Sequence, residues 1–395
     1  SPKTCQQEEG QLRIVAYGSA GDPFKVVPNS GNQPVPNGEI LHQMDATTTT
    51  VAIDLAKSVF EIAVADGTWR ITERRRFSRM QLERFLCTRS VSHVVMEACS
   101  SSHHWGRWLQ RRGIRVSLLP AQYVRAYVRR DKTDRTDAAA LLEAVRCGEI
   151  RPVFVKSVEQ QALQGLHRVR SLWMKTRTSR INSLRALCRE FGMTAPVGSR
   201  RGFQELLGRF AEDSETIPAL LRPSLCQLVE EIRELEARMR AIEAELRHLA
   251  SQSEVCRRLQ TIPGVGLLGS TALLGSVGDI HSFDNARRFA SWVGLTPREF
   301  SSGNTRRLGR ITRQGDCYVR MLLTHGARAV LHSGRIARRA GRPLDRLREW
   351  ALRLEQRSCH NKAVIAIANK LARIVWATWH REHDYEFRSA PAQAA

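Results

Sequence analysis

Four acidic residues have the types and positions of a metal site that acts on phosphates. Asp54 ends the β-branched run TTTTVAIDLA, and Glu97 ends a second apolar run, VVMEA. Asp134 and Asp137 lie three residues apart in a helical pattern, so they share one helix face. Magnesium and manganese prefer such hard oxygen ligands, and like charges converge only where cations compensate them. The set therefore indicates two-metal chemistry on a phosphodiester.

The stretch DKTDRTDAAA, residues 131–140, also has an ordinary interpretation. Acids at the start of a helix favour its macrodipole, and a lone aspartate at the end of a strand is most often a cap. The order of all four acids in a strongly basic chain favours the metal site. Asp131 does not complete the spacing, so we leave it out of the set.

The segments around the acids predict an α/β sheet of ribonuclease-H type. Three short β-patterned runs between 47 and 77 predict a strand meander. Strands ending at Glu97 and at Pro120 alternate with helical patterns, which is typical of an α/β sheet. A further helix over 134–147 carries the aspartate pair. Such a fold brings two strand-end acids and an i,i+3 pair together.

The charge of the chain points to nucleic acid. Its 62 basic and 39 acidic residues give a formal net charge of +23, which indicates a polyanionic partner. No apolar run reaches the roughly 20 residues of a membrane span, so we predict no membrane association. Nine scattered cysteines without a CxxC pair and the lack of a secretory signal layout predict reduced thiols and a cytoplasmic location.

A long basic helix is predicted over 157–191. Residues 156–190 hold eight cations and two anions, whereas a solvated face usually mixes both signs. A helix that follows phosphates is therefore favoured over an ordinary solvated face. The candidate nucleic-acid contacts on this helix and beside the aspartate pair are Lys132, Arg135, Arg168, Lys175, Arg177, Arg180 and Arg185.

A heptad seam follows in residues 225–249. Apolar residues step alternately by three and four positions, which is the pattern of a coiled coil. The seam consists of Leu225, Leu228, Ile232, Leu235, Met239, Ile242, Leu246 and Leu249. Its narrow stripe is compatible with an intramolecular helical hairpin or with a coiled coil that joins two chains.

The last third of the chain is predicted to be helical. LQTIPGVGLLGSTALLGSVGD, residues 259–279, has the layout of a helix–hairpin–helix. In that motif Gly264 and Gly266 would bring backbone N–H groups to a phosphate; the alternative is an ordinary helix turn. Residues 294–316 are polar, glycine-rich and basic.

Several segments in this order resemble the DEDD transposases of insertion sequences, the IS110 family with its IS1111 branch. They are IDLAKSVFEIAV, VVMEACSSSHHW, LLPAQYVRAYVRRDKTDRTDAAALLE, LQTIPGVGLLGSTALL and FASWVGLTPREFSSGNTRRLGRITRQGDCYVRMLLTHGA. The resemblance runs from about residue 50 to about residue 380. It implies a RuvC-like domain in which Asp54, Glu97, Asp134 and Asp137 bind Mg²⁺ or Mn²⁺. It also implies a helical transposase domain with a nucleophilic serine.

The resemblance places the serine in PREFSSG, where Ser302 fits the recurring Ser-Gly and Ser301 is the second choice. It implies a phosphoserine intermediate, which retains the phosphodiester energy that hydrolysis would lose. Serine needs an activator. The metals could supply it, or nearby arginines could stabilise the pentacovalent phosphate. These arginines are Arg306, Arg307, Arg310 and Arg313.

The resemblance also implies partners and an organisation. A non-coding bridge RNA from the element would pair with donor and target DNA, and the protein would act as a dimer or tetramer. We expect each active site to combine both domains, from different chains, because the coiled coil separates the domains in sequence. We predict a disordered leader at 1–46, a RuvC-like DEDD domain at 47–155, and a basic helix with a coiled coil at 156–252. The helical transposase domain with the serine motif would span 253–381, followed by a frayed tail at 382–395.

Two other functions use the same residues. A junction-resolving nuclease would bind metals with the same acids, use water as nucleophile and leave free nicked ends. A non-catalytic nucleic-acid-binding scaffold would bind without cleaving, although the complete set of acids argues against it.

Overall fold

The computed structural model describes residues 49–127, 134–194, 200–212 and 216–387. The predicted leader, residues 1–46, lies outside the described residues, as does Lys132. Of the predicted tail, only residues 382–387 are described. The predicted domain boundaries stay predictions.

A five-stranded mixed sheet forms the N-terminal part. Its strands are β1 (Thr50–Leu55), β2 (Val59–Ala65), β3 (Ile71–Ser78), β4 (His93–Glu97) and β5 (Arg115–Leu119). Their order is β3-β2-β1-β4-β5. The first three form an antiparallel meander, whereas β4 runs parallel to β1 and β5 parallel to β4. The predicted meander and α/β sheet are therefore confirmed.

Helices cover both faces of this sheet. They are α1 (Arg79–Thr88), α2 (Ser102–Gln110), α3 (Ala121–Val124) and α4 (Asp134–Arg146). Strand side chains alternate between faces, so Ile53 and Met96 pack with Trp105 of α2 on one side. Ala52 and Val95 pack with α4 on the other side. We call this second side the α4 face.

Three helices follow the sheet: α5 (Val158–Glu190), α6 (Arg200–Glu212) and α7 (Arg222–Gln252). A capping box between Ser157 and Gln160 starts α5. The heptad seam lies on α7 and is largely buried against α5 within the same chain. The intramolecular hairpin is therefore the arrangement that the structure contains, and the seam does not need a second chain to be covered. The sequence did not reveal α6.

Ion pairs run along the α5–α7 hairpin. Arg170 Nη2 lies 2.6 Å from Glu243 Oε1. Arg177 pairs with Glu236, and Arg180 pairs with Glu231. Glutamates of α7 thus neutralise part of the positive charge of α5. The surface of α5 is therefore less cationic than the sequence of α5 alone suggests.

The C-terminal part is helical with one small hairpin. Its helices are α8 (Glu254–Gln260), α9 (Leu267–Val277), α10 (Ala286–Trp292), α11 (Cys317–Arg339), α12 (Arg346–Gln356) and α13 (His360–His380). The antiparallel pair β6 (Pro297–Glu299) and β7 (Leu308–Ile311) interrupts them. One apolar core joins these helices to α5 and α7. In the described residues, no helix is both long and apolar enough to cross a membrane.

A buried histidine attaches α5 to the C-terminal part. His167 Nε2 lies 3.0 Å from Thr271 Oγ1 of α9, and Nδ1 lies 3.1 Å from the Tyr318 hydroxyl of α11. Burial, with a contribution from Arg170, lowers the pKa of His167 to about 4. The ring is therefore neutral near pH 7 and serves as a hydrogen-bonding link. Tyr318 is the second residue of α11, the helix that follows the β6–β7 hairpin in sequence.

Candidate active site

Strand register aligns the first two predicted ligands. Ile53 of β1 is the partner of Met96 of β4, and the next residue in each of these parallel strands is Asp54 and Glu97. Asp54 lies two residues after Ala52, and Glu97 lies two residues after Val95. Both Ala52 and Val95 pack in the apolar core between the sheet and α4. Alternation therefore places both carboxylates on the α4 face at one edge of the sheet. Both residues are partly exposed.

The aspartate pair lies on the helix that covers this face. Asp134 is the first residue of α4, and Asp137 is in its first turn. The side chain of Asp134 lies outside the described part of the chain, as does that of Arg135. The Oδ1 atom of Asp137 is buried and has no hydrogen-bond partner among the described residues. An unpaired buried carboxylate oxygen is costly, so this atom is a suitable donor to a cation.

The described residues do not by themselves complete a metal site. Within them, no three His, Cys, Asp or Glu side chains lie close enough to hold one ion. The structure thus places Asp54, Glu97 and α4 on one face but does not assemble the three described carboxylates into a ligand cluster. The four-ligand set as a whole stays a prediction.

The predicted serines lie at the end of the β6–β7 hairpin. Ser302 pairs with Thr305 through two backbone hydrogen bonds of 3.2 and 3.1 Å, which close a two-residue loop. Gly303 begins that loop with φ +53°, a conformation that favours glycine. Ser302 is exposed, and its hydroxyl has no hydrogen bond to a described residue.

The hydroxyl of Ser301 is engaged instead. It donates to Glu299 Oε1 at 2.7 Å and accepts from the Arg307 backbone N–H at 3.2 Å. Arg306 Nε lies 3.2 Å from the same Glu299 oxygen. The Ser301 hydrogen bond, together with the charge of Arg306, lowers the pKa of Glu299. Ser301 therefore stabilises the hairpin, which leaves Ser302 as the serine whose hydroxyl is available.

The arginines around the serine face solvent. Arg306, Arg307, Arg310 and Arg313 are all exposed. In the described residues, the hydrogen bonds and ion pairs of segment 297–311 are confined to segment 296–312. The serine and three of its arginines thus form an exposed basic tip that is not bonded to the sheet of the same chain.

The two chain segments at the base of this hairpin pack closely against each other, a feature that the sequence did not reveal. A Cβ added to Gly294 would lie 1.9 Å from the Gln314 carbonyl oxygen, and one added to Gly315 would lie 1.8 Å from the Trp292 oxygen. Arg320 of α11 donates to the carbonyls of Val293 and Gln314 at 2.8 and 3.0 Å. Glycines flanking a basic segment were the only sequence signal of this anchor.

The predicted helix–hairpin–helix turn joins α8 to α9. Gly264 has φ +86°, and a Cβ there would lie 2.5 Å from the Gly326 carbonyl oxygen of α11. Gly264 therefore has a packing role, as the ordinary-turn interpretation holds. Gly266 is the N-cap of α9, is exposed, and has open space around it. Gly264 is exposed as well, so a phosphate contact at either glycine stays a prediction.

The two glycines lead to opposite expectations. We expect Gly264→Ala to destabilise the protein by about 2–4 kcal/mol, because the new methyl group meets backbone at a positive φ. Gly266→Ala should change stability by less than about 1 kcal/mol. Chemical unfolding of both variants measures the difference. Equal losses would contradict the packing role of Gly264, and weaker DNA binding by a stable Gly266→Ala variant would support the phosphate contact.

The remaining candidate cations differ in their surroundings. Arg168 is exposed, and its Nη2 donates to Gln164 Oε1 at 3.3 Å. Lys175 is exposed, whereas Arg185 is partly buried. Arg177 and Arg180 are engaged with glutamates of α7. Arg168 and Lys175 are therefore the residues of α5 best placed to meet a phosphate.

Comparison with known proteins defines the class of this one. A family model described as a transposase, of the DEDD IS110 type, matches residues 51–193, which include the sheet and α5. A second, described as "Transposase IS116/IS110/IS902 family", matches residues 256–341, which include the serine hairpin. The class is thus that of transposases, enzymes that cleave and rejoin DNA.

Individual relatives agree. The chain is 39% identical to a "Probable family 20 transposase" of Pseudomonas aeruginosa, over 85% of this chain and 98% of the relative. It is 36% identical to the "Transposase for insertion sequence element IS1111A" of Coxiella burnetii, over 85% and 90%. A "Pilin gene-inverting protein" of Moraxella bovis is 25% identical over 86% and 98%. The chain belongs to the IS110 family of insertion-sequence transposases.

Proposed function

We propose that this transposase joins DNA to Ser302 as an intermediate of strand exchange, with divalent metal held by Asp54, Glu97, Asp134 and Asp137. One observation carries the proposal. The strand ends bearing Asp54 and Glu97 are adjacent, in register, and on the face covered by the helix that begins with Asp134. This is the placement that the RuvC-like interpretation requires.

The residues fit magnesium or manganese. All four are carboxylates, the donors that these hard ions prefer. The buried Oδ1 of Asp137 has no partner among the described residues, and a cation would supply one. When bound, the metal would stabilise negative charge on the phosphodiester oxygens. The carboxylates would hold it, and the DNA backbone would then lie at the sheet edge that carries Asp54 and Glu97.

The covalent step balances without a high-energy cofactor. Ser302 Oγ forms a bond to the scissile phosphorus and gives its proton to a base, while one DNA oxygen leaves as a hydroxyl after taking up a proton. The free hydroxyl of another strand then attacks the phosphoserine and releases Ser302. The exposed guanidinium groups of Arg306, Arg307 and Arg310 would stabilise the five-coordinate phosphate.

A rejoining reaction is favoured over hydrolysis by the relatives. The Moraxella bovis protein is named for inverting a pilin gene. Inverting a DNA segment requires that cut ends be joined again, and a phosphoserine retains the bond energy for that step. The junction-resolving nuclease and the non-catalytic scaffold have no comparable support.

The proposed partners are donor and target double-stranded DNA and a non-coding bridge RNA. The net charge of +23 and the exposed Arg168 and Lys175 support a polyanionic partner. Guidance by RNA rests on the family resemblance. A homo-oligomer acting in the cytoplasm completes the proposal. The serine hairpin forms no described hydrogen bond or ion pair with its own sheet, which is compatible with a site built from two chains.

A plasmid recombination assay tests this function. Donor and target plasmids are incubated with the protein and Mg²⁺, with and without RNA transcribed from the flank of the element. We expect joined products and a covalent protein–DNA adduct only when RNA and metal are present. Joined products without RNA would remove the guidance while leaving a recombinase. Free nicked ends without an adduct would support the nuclease, and binding without cleavage would support the scaffold.

A further inference from the structure

A glutamate next to the predicted ligands has no role in the function proposed above. Glu61 of β2 is the register partner of Asp54, and Arg76 of β3 is the register partner of Glu61. Residues opposite each other on neighbouring strands point to the same face. Glu97, Asp54, Glu61 and Arg76 therefore form one row across four strands. We call it the acidic row.

The acidic row lies on the α4 face. Ala63, two residues after Glu61, belongs to the core under α4, as do Ala52 and Val95. Arg75, beside Arg76 on β3, is the partner of Ile62. Ile62 packs in the opposite core, so Arg75 points away from the row. Of the three consecutive arginines in β3, Arg74 and Arg76 are thus on the same face as the carboxylates, and Arg76 is the one in register with them.

The cation of the row forms an ion pair within the row and is open to solvent. Arg76 Nε lies 3.5 Å from Glu61 Oε1. The Arg76 side chain is 68% exposed, whereas that of Glu61 is 20% exposed. A carboxylate that engages Nε leaves the terminal N–H groups of a guanidinium for another acceptor. Because β3 is the last strand of the sheet, an acceptor from outside the chain can reach these N–H groups.

We infer that Arg76, positioned by Glu61, binds the DNA backbone beside the scissile phosphate. This inference rests on the proposed function, which places the scissile phosphate at Asp54 and Glu97. Neighbouring strands are about 4.8 Å apart, so Arg76 lies roughly 10 Å along the row from Asp54. That distance suits a phosphate flanking the cleaved one. A guanidinium there offsets the carboxylates and orients the strand.

Arg76→Met tests the contact, and Arg75→Met is the matched control on the opposite face. We expect Arg76→Met to lower the single-turnover cleavage rate at saturating DNA about tenfold or more. Its DNA affinity should fall by a smaller factor than its cleavage rate, because many other cations remain. Arg75→Met should keep the wild-type rate within about twofold. Equal rates for the two variants would overturn the inference.

Replacing single DNA phosphates by an uncharged analogue identifies the phosphate that Arg76 contacts. A methylphosphonate is placed in turn at each position flanking the cleavage site of a synthetic duplex carrying the element end. At one position it should slow the wild type but not Arg76→Met, because the guanidinium has then lost its charged acceptor. Slowing of both proteins at every position would contradict the contact. Thermal unfolding checks the fold, and should Arg76→Met unfold in the assay, Arg76→Gln is used in both experiments.

Glu61→Gln separates positioning from a direct role. If Glu61 acts through Arg76, Glu61→Gln should slow cleavage less than Arg76→Met, and the double variant should be no slower than Arg76→Met alone. A Glu61→Gln variant slower than Arg76→Met would overturn the positioning role.

Asp54→Asn in the same assay distinguishes a failure of the proposed function from a failure of the inference about Arg76. An active Asp54→Asn variant would remove the proposed function itself. An inactive Asp54→Asn variant together with a fully active Arg76→Met variant would remove only the inference about Arg76.

Discussion

Ser302→Ala is expected to abolish the covalent protein–DNA adduct and all strand exchange, a loss beyond about a thousandfold. The alanine has no oxygen to bond to phosphorus. DNA and RNA binding should stay within about twofold, because the surrounding arginines are unchanged. Denaturing gel electrophoresis of the protein with end-labelled DNA measures the adduct directly.

Ser301→Ala is the matched control for this experiment. Its hydroxyl donates to Glu299 and accepts from the Arg307 N–H, so its loss should loosen the hairpin. We expect the adduct to form at a rate reduced about tenfold or less, with a normal yield at long times. An adduct that survives in Ser302→Ala and disappears in Ser301→Ala would reverse the two roles. Survival in both variants would place the nucleophile elsewhere.

The sheet and its acids were accessible from sequence because local signals and the fold agree. Asp54 and Glu97 each follow a run of apolar residues, and a strand that ends in an acid places it at the sheet edge. The spacing of Asp134 and Asp137 predicted one helix, and α4 spans Asp134–Arg146. In these segments the sequence periodicity matches the side chains that are buried in the fold, so the pattern was enough to predict the strands and the helix.

The features that were missed depend on contacts between distant segments. The heptad seam of α7 was compatible with two partners, and only the structure shows that α5 fills it. The charge of Arg177 could not be assigned to a phosphate or to Glu236 without knowing which helix lies opposite. The packing role of Gly264 was missed because its close approach to Gly326 involves residues 62 positions apart.

The short exposed strands and the strand register could not be predicted from the sequence for another reason. The strands β6 and β7 have three and four residues that are nearly all exposed, so no hydrophobic alternation marks them. The acidic row exists only through register, which pairs Asp54 with Glu61 and Glu61 with Arg76. A one-residue shift would place Arg75 on the α4 face instead, and the composition of the strands does not reveal that choice.

Asp137→Asn is expected to lower cleavage by at least about a hundredfold while leaving RNA and DNA binding within about twofold. Asparagine keeps the shape of the side chain but removes the charge that a divalent ion requires. The matched control is Glu143→Gln on the same helix, which makes the same change of charge at a residue whose carboxylate pairs with Arg146 at 3.7 Å. Glu143→Gln should cleave at the wild-type rate.

The stability of the same variant separates a metal ligand from a structural residue. Without metal, the buried Oδ1 of Asp137 is an unpaired acceptor, which costs about 1–3 kcal/mol. Removing the charge should therefore leave the unfolding temperature in EDTA unchanged or raise it. Added Mg²⁺ or Mn²⁺ should raise the unfolding temperature of the wild type and of Glu143→Gln, because an ion that binds only the folded state stabilises it. Asp137→Asn should lack most of this gain. A variant that unfolds earlier in EDTA and responds normally to metal would show that Asp137 supports the fold and does not hold the ion.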